Sequence, residues 1–578
     1  MRNDLITNSN TLPLPAAVSD RYATFSSKIN RLVGRGYWLL LALCGIPLLL
    51  KILAKFSVAN VWDDSFMFGR YAGNFISSGK LSWNPGGEPT YGLTSNLFLV
   101  VVLPFRLLLG NKSGLVAILP SLLCGFLFLT LLFVLLEFYT DVNLFVRRGL
   151  ILLLFFSFAT QTNYIEYHFV DGMDTTFALS YLTTYLMLVC SWYKRAATHI
   201  SRSNTLLLGG IGGLAFLVRP DLVLYTLLLP LAIWLFDKTP QVKRNAGLML
   251  GVTVLTIAIQ LGLGAWYFGS PLPLPFYAKA LNLYGNNLYQ VYADLAGGQF
   301  LYFLGAYWYL FLFTGLNIIV NFKGWFRGIG AIDKGLIVAT SIFLIYYLFF
   351  VLPIMGYAER FYYPTLPALA FVGCRSLANL VQVIQNFVKT YLRFFNQARL
   401  QLVVIPVGLV GLLLFGLNII PAISYGSDGL NEAISTQTFA HFRVDEWYLK
   451  VAHSYWFRLD QFSALPDDLV IATTEVGYPA AMNPHKTIVD MAGLNETNFS
   501  HRPFSADLFF RKYQPDLIYM PHPDYKLMNE QLRNNPYFSQ HYVYSSASQL
   551  GTDEFGVAIW KDSKYYQKLK SITDMGKS

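Results

Sequence analysis

Two adjacent aspartates, Asp63 and Asp64, follow directly after the first apolar segment of the chain, in the run Trp62-Asp63-Asp64-Ser65. Partial burial at a membrane face and a like-charged neighbour both raise the pKa of a carboxyl group, which brings it toward the range that suits a general base. Such a carboxylate can take the proton of an attacking hydroxyl group. The alternative is structural, because an aspartate just before Phe66 fits the N-cap of a helix. One aspartate that caps and one that reacts would satisfy both interpretations.

Further charged residues lie within a few positions of the ends of apolar segments. They are Glu166, His168, Asp171, Asp174, Arg219, Asp221, Lys279, Glu359 and Arg360. Ionisable groups at that depth are functional candidates, and an arginine or lysine there can hold the phosphate of a lipid headgroup. Two plainer alternatives stay open. Arg219 and Asp221 can form an internal ion pair at a helix end marked by Pro220, and Arg360 can extend its charge to the membrane surface.

A long segment between two apolar stretches, residues 266–299, begins with several prolines between Phe268 and Lys279. This composition predicts an extended loop. Such a loop can cover a lipid-linked substrate, although a stiff connector would have the same composition. A loop of this length in a compact protein more often has a function.

The segments that must hold these groups are strongly apolar. Of 578 residues, 54% are hydrophobic and 13% are charged, and the mean hydropathy is +0.43, which argues against a soluble fold. Eleven apolar segments approach the length of a membrane span: 37–57, 115–138, 149–163, 175–193, 204–218, 222–236, 246–265, 300–321, 335–355, 361–383 and 401–420. The first is interpreted as an uncleaved anchor, because a long, mostly polar stretch precedes it.

One further apolar segment, residues 92–109, does not fit this scheme, because counting it as a span would invert every later loop. Pro104 and Arg106 within it favour a re-entrant or interfacial helix. The alternative is a true span, with one later segment miscounted. Eleven spans is the working prediction.

The basic residues predict the orientation. Their clusters lie between spans, at Arg31/Arg35, Arg147/Arg148, Lys194/Arg195/Arg202, Lys238/Lys243/Arg244, Lys323/Arg327/Lys334 and Lys389/Arg393/Arg399. Placing them in the cytoplasm leaves 58–114, 164–174, 219–221, 266–299, 356–360 and everything after about 421 on the outer side. The net charge of +10 is thereby explained by topology, and no nucleic-acid partner is expected.

From Tyr425 onward the composition changes, with interspersed charges and short apolar runs. The runs 468–473, 487–490, 516–519 and 555–560 predict buried strands of a small α/β domain. The fold class is therefore a polytopic α-helical membrane protein of about eleven spans with a C-terminal extracytoplasmic α/β domain. We expect a disordered cytoplasmic N-terminus at 1–36, a transmembrane domain at 37–420, the α/β domain at 421–560 and a polar tail at 561–578.

Several motifs in order resemble those of the GT-C superfamily of polyprenyl-phosphate-sugar-dependent glycosyltransferases. The resemblance is greatest to the bacterial branch related to the mycobacterial terminal arabinofuranosyltransferase. The matching motifs are the runs 62–72, 79–86 and 91–95, Asp171-Gly-Met-Asp174-Thr175, Leu217-Val-Arg219-Pro220-Asp221, 269–279, Arg360-Phe-Tyr-Tyr-Pro364 and Val489-Asp490-Met-Ala-Gly493-Leu494. Met173, Asp174 and Pro275 depart from the pattern of that branch, which leaves the donor sugar open.

The resemblance implies a module of seven spans, catalytic acids in the first outer loop and a long loop after span seven. The expected reaction moves a sugar from a polyprenyl-phosphate donor to a glycan or glycolipid acceptor of the cell envelope. Asp64 would be the general base with Asp63 as its substitute, and Arg219, Lys279 and Arg360 would hold the donor phosphate. The remaining expected substrate-binding residues are Arg70, Tyr71, Asp174, Asp221, Tyr277 and Glu359.

Three expectations accompany this assignment. A divalent cation (Mg, Mn or Ca) on Asp63 and Asp64 is compatible with their hard carboxylate oxygens. The C-terminal domain is a candidate for binding the acceptor glycan, and the protein is expected in a bacterial inner membrane. Two rival functions stay open: a transporter or flippase of a lipid-linked saccharide, and a non-catalytic scaffold in envelope assembly.

Overall fold

A computed structural model describes residues 16–56, 61–110, 112–161, 165–196, 201–280, 286–321, 329–351, 358–391, 397–435, 456–522, 525–550 and 555–575. Within these residues, each of the eleven predicted apolar segments overlaps a helix over most of its length. The helices of the N-terminal three quarters of the chain are α1 (Ala16–Lys55), α2 (Ser65–Ser78), α3 (Asn96–Leu109), α4 (Ser113–Tyr139), α5 (Leu144–Thr160), α6 (Thr175–Ala196), α7 (Arg202–Val218), α8 (Val223–Phe236), α9 (Pro240–Phe268), α10 (Leu274–Ala280), α11 (Asn286–Val320), α12 (Ala331–Phe349), α13 (Leu366–Tyr391) and α14 (Gln397–Ser435).

Six stretches of these helices are long and apolar enough to cross a membrane: Arg35–Lys55, Ser113–Tyr139, Pro240–Phe268, Gly298–Val320, Ala331–Phe349 and Tyr363–Asn386. Three shorter apolar helices lie at Asn96–Leu109, Arg202–Val218 and Pro220–Phe236. The chain is therefore an integral membrane protein, and the full number of eleven spans stays a prediction. Helix α1 packs against α14, α4 against α6, α7 against α9 and α8 against α12.

Helix α3 covers most of the segment for which two interpretations were open. Its 14 residues rise about 21 Å, which is shorter than the roughly 30 Å hydrocarbon core of a bilayer. It packs against α2 and α4. Helix α8 has the same 14 residues and lies in a predicted span, so both interpretations of 92–109 stay predictions.

Two terminal predictions need correction. The region 1–36, predicted to be disordered, is helical from Ala16, where α1 begins. No proline follows between Ala16 and the apolar span, so the helix extends toward the N-terminus at one hydrogen bond per residue. The polar tail 561–578 contains a helix at Tyr566–Asp574, whose Leu569 and Ile572 are buried against the domain. Their spacing of three residues places both on one helix face.

The C-terminal domain contains a five-stranded sheet in the order β2-β1-β3-β5-β4. Its strands are β1 (Val470–Thr473), β2 (Thr487–Asp490), β3 (Leu517–Tyr519), β4 (Tyr542–Ser545) and β5 (Val557–Trp560). β1 pairs in parallel with β2 and β3, whereas β5 pairs antiparallel with β3 and β4. The helices are α15 (Leu459–Ser463), α16 (Gly477–Met482), α17 (Thr497–Ser500), α18 (Ala506–Lys512), α19 (Lys526–Arg533), α20 (Pro536–His541) and α21 (Tyr566–Asp574). Four of the strands in the described residues match the four predicted runs, and the fifth, the edge strand β4, was not predicted.

The C-terminal domain docks on the first loop of the membrane module. Arg70 donates to the carbonyl oxygens of Ala480 at 3.2 Å, Asn483 at 3.0 Å and Lys486 at 2.8 Å. The Trp83 indole donates to the Ile488 carbonyl at 2.8 Å. Buried residues of both parts belong to one continuous apolar core. The two modules therefore form a single packed structure at this interface.

Candidate functional site

A cavity of about 360 Å³ lies where the membrane helices meet the C-terminal domain. Five residues predicted to act in the site line it: Asp64, Asp174, Arg219, Asp221 and Arg360. They come from four separate parts of the chain, so the fold has gathered them.

The residues that line the cavity also show which of the predicted outer loops lie on the same side of the membrane module. Each of the six segments assigned to one side contributes lining residues, namely Asp64 and Leu93, Met173, Arg219, Pro275, Arg360 and Leu494. These segments therefore lie on the same side of the membrane module. That this side is the outer one stays a prediction from the basic residues.

The two adjacent aspartates have different surroundings. The Asp63 carboxylate accepts the backbone amides of Gly477 at 2.9 Å and Tyr478 at 2.5 Å, at the start of α16. Burial, followed by the charge of Asp64, raises the Asp63 pKa to about 7, although the two amides act in the opposite direction. Asp64 stands at the N-cap position of α2, where its side chain makes no capping bond, and it lines the cavity. The predicted side-chain cap of α2 is therefore not formed by Asp64, and the Asp63 carboxylate instead binds the C-terminal domain.

Arg219 and Asp221 form the ion pair that was one of the two interpretations of this motif. The guanidinium donates to both carboxylate oxygens, from Nη2 at 2.6 Å and from Nε at 3.2 Å. The hydroxyl of Tyr347 accepts from Arg219 at 3.2 Å and donates to Asp221. Arg219 Nη1 is buried and has no hydrogen-bond partner among the described residues. The pair thus leaves one guanidinium nitrogen available to a ligand.

Arg360 and Asp174 form the second ion pair of the cavity, with Nη2 and Oδ1 3.2 Å apart. Asp174 follows a turn in which Gly172 has a φ of 76°. A Cβ on that glycine would lie 2.8 Å from the Cβ of Ser65. Glycine is therefore required both by the left-handed backbone and by the close approach of α2.

One wall of the cavity is apolar. Leu224 of α8 and Ile342 of α12 line it, together with Phe350 and Val351 just beyond α12. The side chains of Ile342 and Phe350 are also exposed on the protein surface, at 40% and 65%. The charged end of the cavity is thus continuous with an exposed apolar surface.

Four of the expected substrate-binding residues lie elsewhere. Arg70 uses all of its N–H groups on backbone carbonyls and on Asn84, and Tyr71 donates to Asn495 at 2.9 Å. The Tyr277 ring packs against His501, with centroids 4.2 Å apart. Glu359 is not among the residues that line the cavity. In the described structure Arg70 and Tyr71 therefore hold the two modules together.

The loop that contained Lys279 is partly helical. Helix α10 begins at Leu274, whose amide donates to the carbonyl of Tyr91 at 2.8 Å, and Pro275 and Phe276 line the cavity. The loop thus does contribute to the cavity wall. The side chain of Lys279 lies outside the described part of the structure.

The C-terminal domain inserts one residue, Leu494, into the cavity wall. Asp490 shapes the preceding turn, because its carboxylate accepts the amides of Ala492 at 2.9 Å and Asn495 at 2.7 Å. Burial raises the Asp490 pKa to about 7, against these hydrogen bonds. A Cβ on Gly92 would lie 2.0 Å from the Asn495 side-chain oxygen, so the first loop can approach only as glycine. The domain is therefore a structural part of the cavity.

The arrangement does not favour a divalent cation on the aspartate pair. Both oxygens of Asp63 already accept amide protons from α16. Among the described residues, no group of three or more His, Cys, Asp or Glu side chains comes together as a metal site requires. No step of the reaction is therefore assigned to a metal.

Sequence reasoning missed Tyr347, which lies inside a predicted apolar span. Its hydroxyl group joins the Arg219–Asp221 pair, and its ring stacks on Phe361 with centroids 5.0 Å apart. A tyrosine near the end of a span is common at membrane interfaces, so the sequence carries only a weak signal.

Neither a protein-family model nor a curated protein matches the sequence. Among solved structures, similarity extends to ArnT from Cupriavidus metallidurans bound to undecaprenyl phosphate, with 11% identity and a TM-score of 0.46 over 92% of this chain and 98% of that chain. The oligosaccharyltransferase AglB from Archaeoglobus fulgidus, in complex with an inhibitory peptide and a dolichol-phosphate, has 13% identity and a TM-score of 0.47 over 92% of this chain and 75% of that chain.

Proposed function

We propose that this protein is a GT-C type glycosyltransferase that moves a sugar from a polyprenyl-phosphate donor to a hydroxyl group of a cell-envelope glycan or glycolipid. The observation that supports the proposal is the cavity itself. It combines one carboxylate suited to a base, two arginines and an apolar wall in one space of about 360 Å³. A phosphate-linked sugar on an isoprenoid chain needs all three features.

Asp64 is the general base of the proposed reaction. It lines the cavity at the start of α2. As the acceptor hydroxyl attacks the anomeric carbon, a new carbon–oxygen bond forms and the bond from that carbon to the phosphate oxygen breaks. The hydroxyl proton passes to Asp64, and the electron pair of the broken bond leaves with polyprenyl phosphate. Asp63 is not an equivalent base in this arrangement, because its two oxygens accept amides from α16.

Arg219 and Arg360 hold the phosphate of the donor. Both residues are more than nine-tenths buried, and each is paired with a carboxylate that keeps its guanidinium group in place. The leaving group is a phosphate, so the site needs cations to stabilise its charge and no general acid. Lys279 is a third candidate that rests on the motif resemblance alone.

The remaining parts of the proposal follow from the position of the cavity. The isoprenoid chain lies along the apolar wall formed by α8 and α12, where Leu224 and Ile342 face the cavity. The acceptor approaches from the side of the C-terminal domain, which contributes Leu494. The reaction takes place on the extracytoplasmic face of a bacterial inner membrane, as the basic loops predict.

The proposal is tested by sugar transfer with the purified protein in detergent. A panel of polyprenyl-phosphate pentoses and hexoses is offered to the wild type and to Asp64→Asn, which keeps the volume of the side chain and removes the base. We expect transfer by the wild type and a loss of about 100-fold or more in Asp64→Asn, at an unchanged melting temperature. Lys80→Gln, at an exposed position of the same loop, is the matched control.

Two outcomes would contradict the proposal. Undiminished transfer by Asp64→Asn would remove Asp64 from the mechanism. Movement of the lipid-linked sugar across vesicle membranes, without transfer to any acceptor, would instead support the transporter.

A further inference from the structure

A single histidine connects the two turns that supply the Asp174–Arg360 pair. His168 is fully buried, and neither it nor its partner Asp171 lines the cavity. Its Nδ1 lies 2.9 Å from Asp171 Oδ2, and its Nε2 lies 2.8 Å from the carbonyl oxygen of Ala358. The imidazole therefore spans two segments that are far apart in the chain.

Both partners of the ring are hydrogen-bond acceptors. A neutral imidazole has one N–H and one lone pair, so it would direct the lone pair at a carboxylate or at a carbonyl oxygen. Both contacts are hydrogen bonds when both ring nitrogens carry protons, because each nitrogen then donates to one acceptor.

On one side of the bridge, Asp171 contacts residues next to Asp64 and the turn that leads to Asp174. The carbonyl oxygen of Asp171 accepts the Trp62 amide at 3.0 Å and the Ser65 hydroxyl at 2.5 Å, which are the residues on either side of the aspartate pair. Its carboxylate also accepts the Met173 amide at 2.8 Å, two residues from Asp171 and directly before Asp174. Asp171 thus contacts the residues that flank the aspartate pair and the residue that precedes Asp174.

The Ala358 side of the bridge fixes a strained turn. Ala358 and Glu359 have φ values of 53° and 57°, a left-handed conformation that costs roughly 1–2 kcal/mol for each residue with a Cβ. Arg360 follows directly and contacts Asp174. A hydrogen bond from a charged ring to the Ala358 carbonyl is a contact that can hold such a turn.

We propose that His168, with protons on both ring nitrogens, is a positioning residue that fixes the Arg360 turn against the Asp171–Asp174 turn. Its effect on the donor rests on the proposed function, because Arg360 there holds the phosphate. The structural link itself does not depend on any activity.

Two matched variants of His168 each keep one of its two hydrogen bonds and remove the other. In His168→Asn the amide nitrogen can occupy the position of Nδ1 and keep the contact with Asp171, whereas in His168→Gln it can occupy that of Nε2 and keep the contact with Ala358. Hydrogen–deuterium exchange is measured on peptides that cover 358–366 and 171–178. We expect about tenfold faster exchange in 358–366 for His168→Asn only, and in 171–178 for His168→Gln only, as for the loss of one charge-assisted hydrogen bond.

The same variants have distinct kinetic signatures when transfer is observed. His168→Asn should raise the donor KM several-fold more than His168→Gln, with a smaller change in kcat, because Arg360 is the displaced group. A histidine that only fills space would give both variants the same exchange pattern and the same KM. That result would overturn the proposal.

Hydrogen exchange does not require sugar transfer, so it tests the link that His168 forms even if the protein transfers no sugar. Failure of the proposed function and failure of this link are therefore distinguishable. If neither variant folds, ¹⁵N resonances of labelled imidazoles in the wild type decide the question. A buried imidazole with two protonated nitrogens at neutral pH supports the link, and eight histidines with none in that state would refute it.

Discussion

The carboxylate of Asp63 accepts the backbone amide of Gly477 at 2.9 Å, across more than 400 positions of the chain. This contact separates the roles of two adjacent aspartates, since it directs Asp63 to the C-terminal domain while Asp64 lines the cavity. The site therefore depends on correct docking of the two modules.

Replacing Asp63 with alanine should loosen this docking. Two amides at the start of α16 would lose their acceptor, which costs about 1–3 kcal/mol in the free energy of unfolding of the C-terminal domain. Limited proteolysis and thermal unfolding in detergent measure the effect. If Asp63→Ala abolished transfer at wild-type stability, Asp63 would act in the chemistry and the docking role would be wrong.

Gly477→Ala should produce the same defect by a different route. The added Cβ would lie 1.7 Å from the carbonyl oxygen of Asp63, a backbone atom that cannot move away alone. We expect a lower melting temperature and a loss of about 1–3 kcal/mol or more, as in an overpacked core. Gly251→Ala is the control, because nothing lies within 4 Å of its added Cβ. Equal melting temperatures for the two variants would contradict the docking interface.

Tyr347→Phe removes one hydroxyl group from the Arg219–Asp221 pair and keeps the ring that stacks on Phe361. The guanidinium then loses one of its restraints, so the donor KM should rise by about tenfold for a loss near 1.4 kcal/mol. Tyr346→Phe is the matched control in the same cavity wall. A larger effect in the control would show that Arg219 does not depend on this hydroxyl.

Glu359 gives a prediction for the dependence of stability on pH. Burial raises its pKa to about 7, while His168 lowers it and Glu166 raises it. Because the folded protein binds this proton more tightly than the unfolded chain, the contribution of Glu359 to stability is greatest below about 4.5. It falls as the pH rises toward 7.

Glu359→Gln removes that titration. Compared with the wild type, its melting temperature should be higher at pH 8, with a gain on the order of 1–3 kcal/mol, and nearly unchanged at pH 4.5. The measurement is a series of thermal unfolding curves in detergent between these values. A variant that is less stable than the wild type at pH 8 would show that the charged carboxylate is stabilising.

The sequence predicted the cavity residues best where a charged residue lies next to the end of an apolar segment. Asp64, Asp174, Arg219, Asp221 and Arg360 were all found from charge at the ends of apolar segments, and all line one cavity. Arg70 and Tyr71 lie in the same motif as Asp64, but their contacts are with the C-terminal domain. Motif membership could not separate these roles, because neighbours on a helix face different directions.

By itself, the sequence determined the helical membrane module, the sheet domain after it and that the charged loops gather on one side, because hydropathy and periodicity are local properties. Only the tertiary structure decided which aspartate faces the cavity, that Tyr347 joins the Arg219 pair and that His168 links two distant turns. These relationships are contacts between residues far apart in the chain. They follow from packing, which no local pattern encodes.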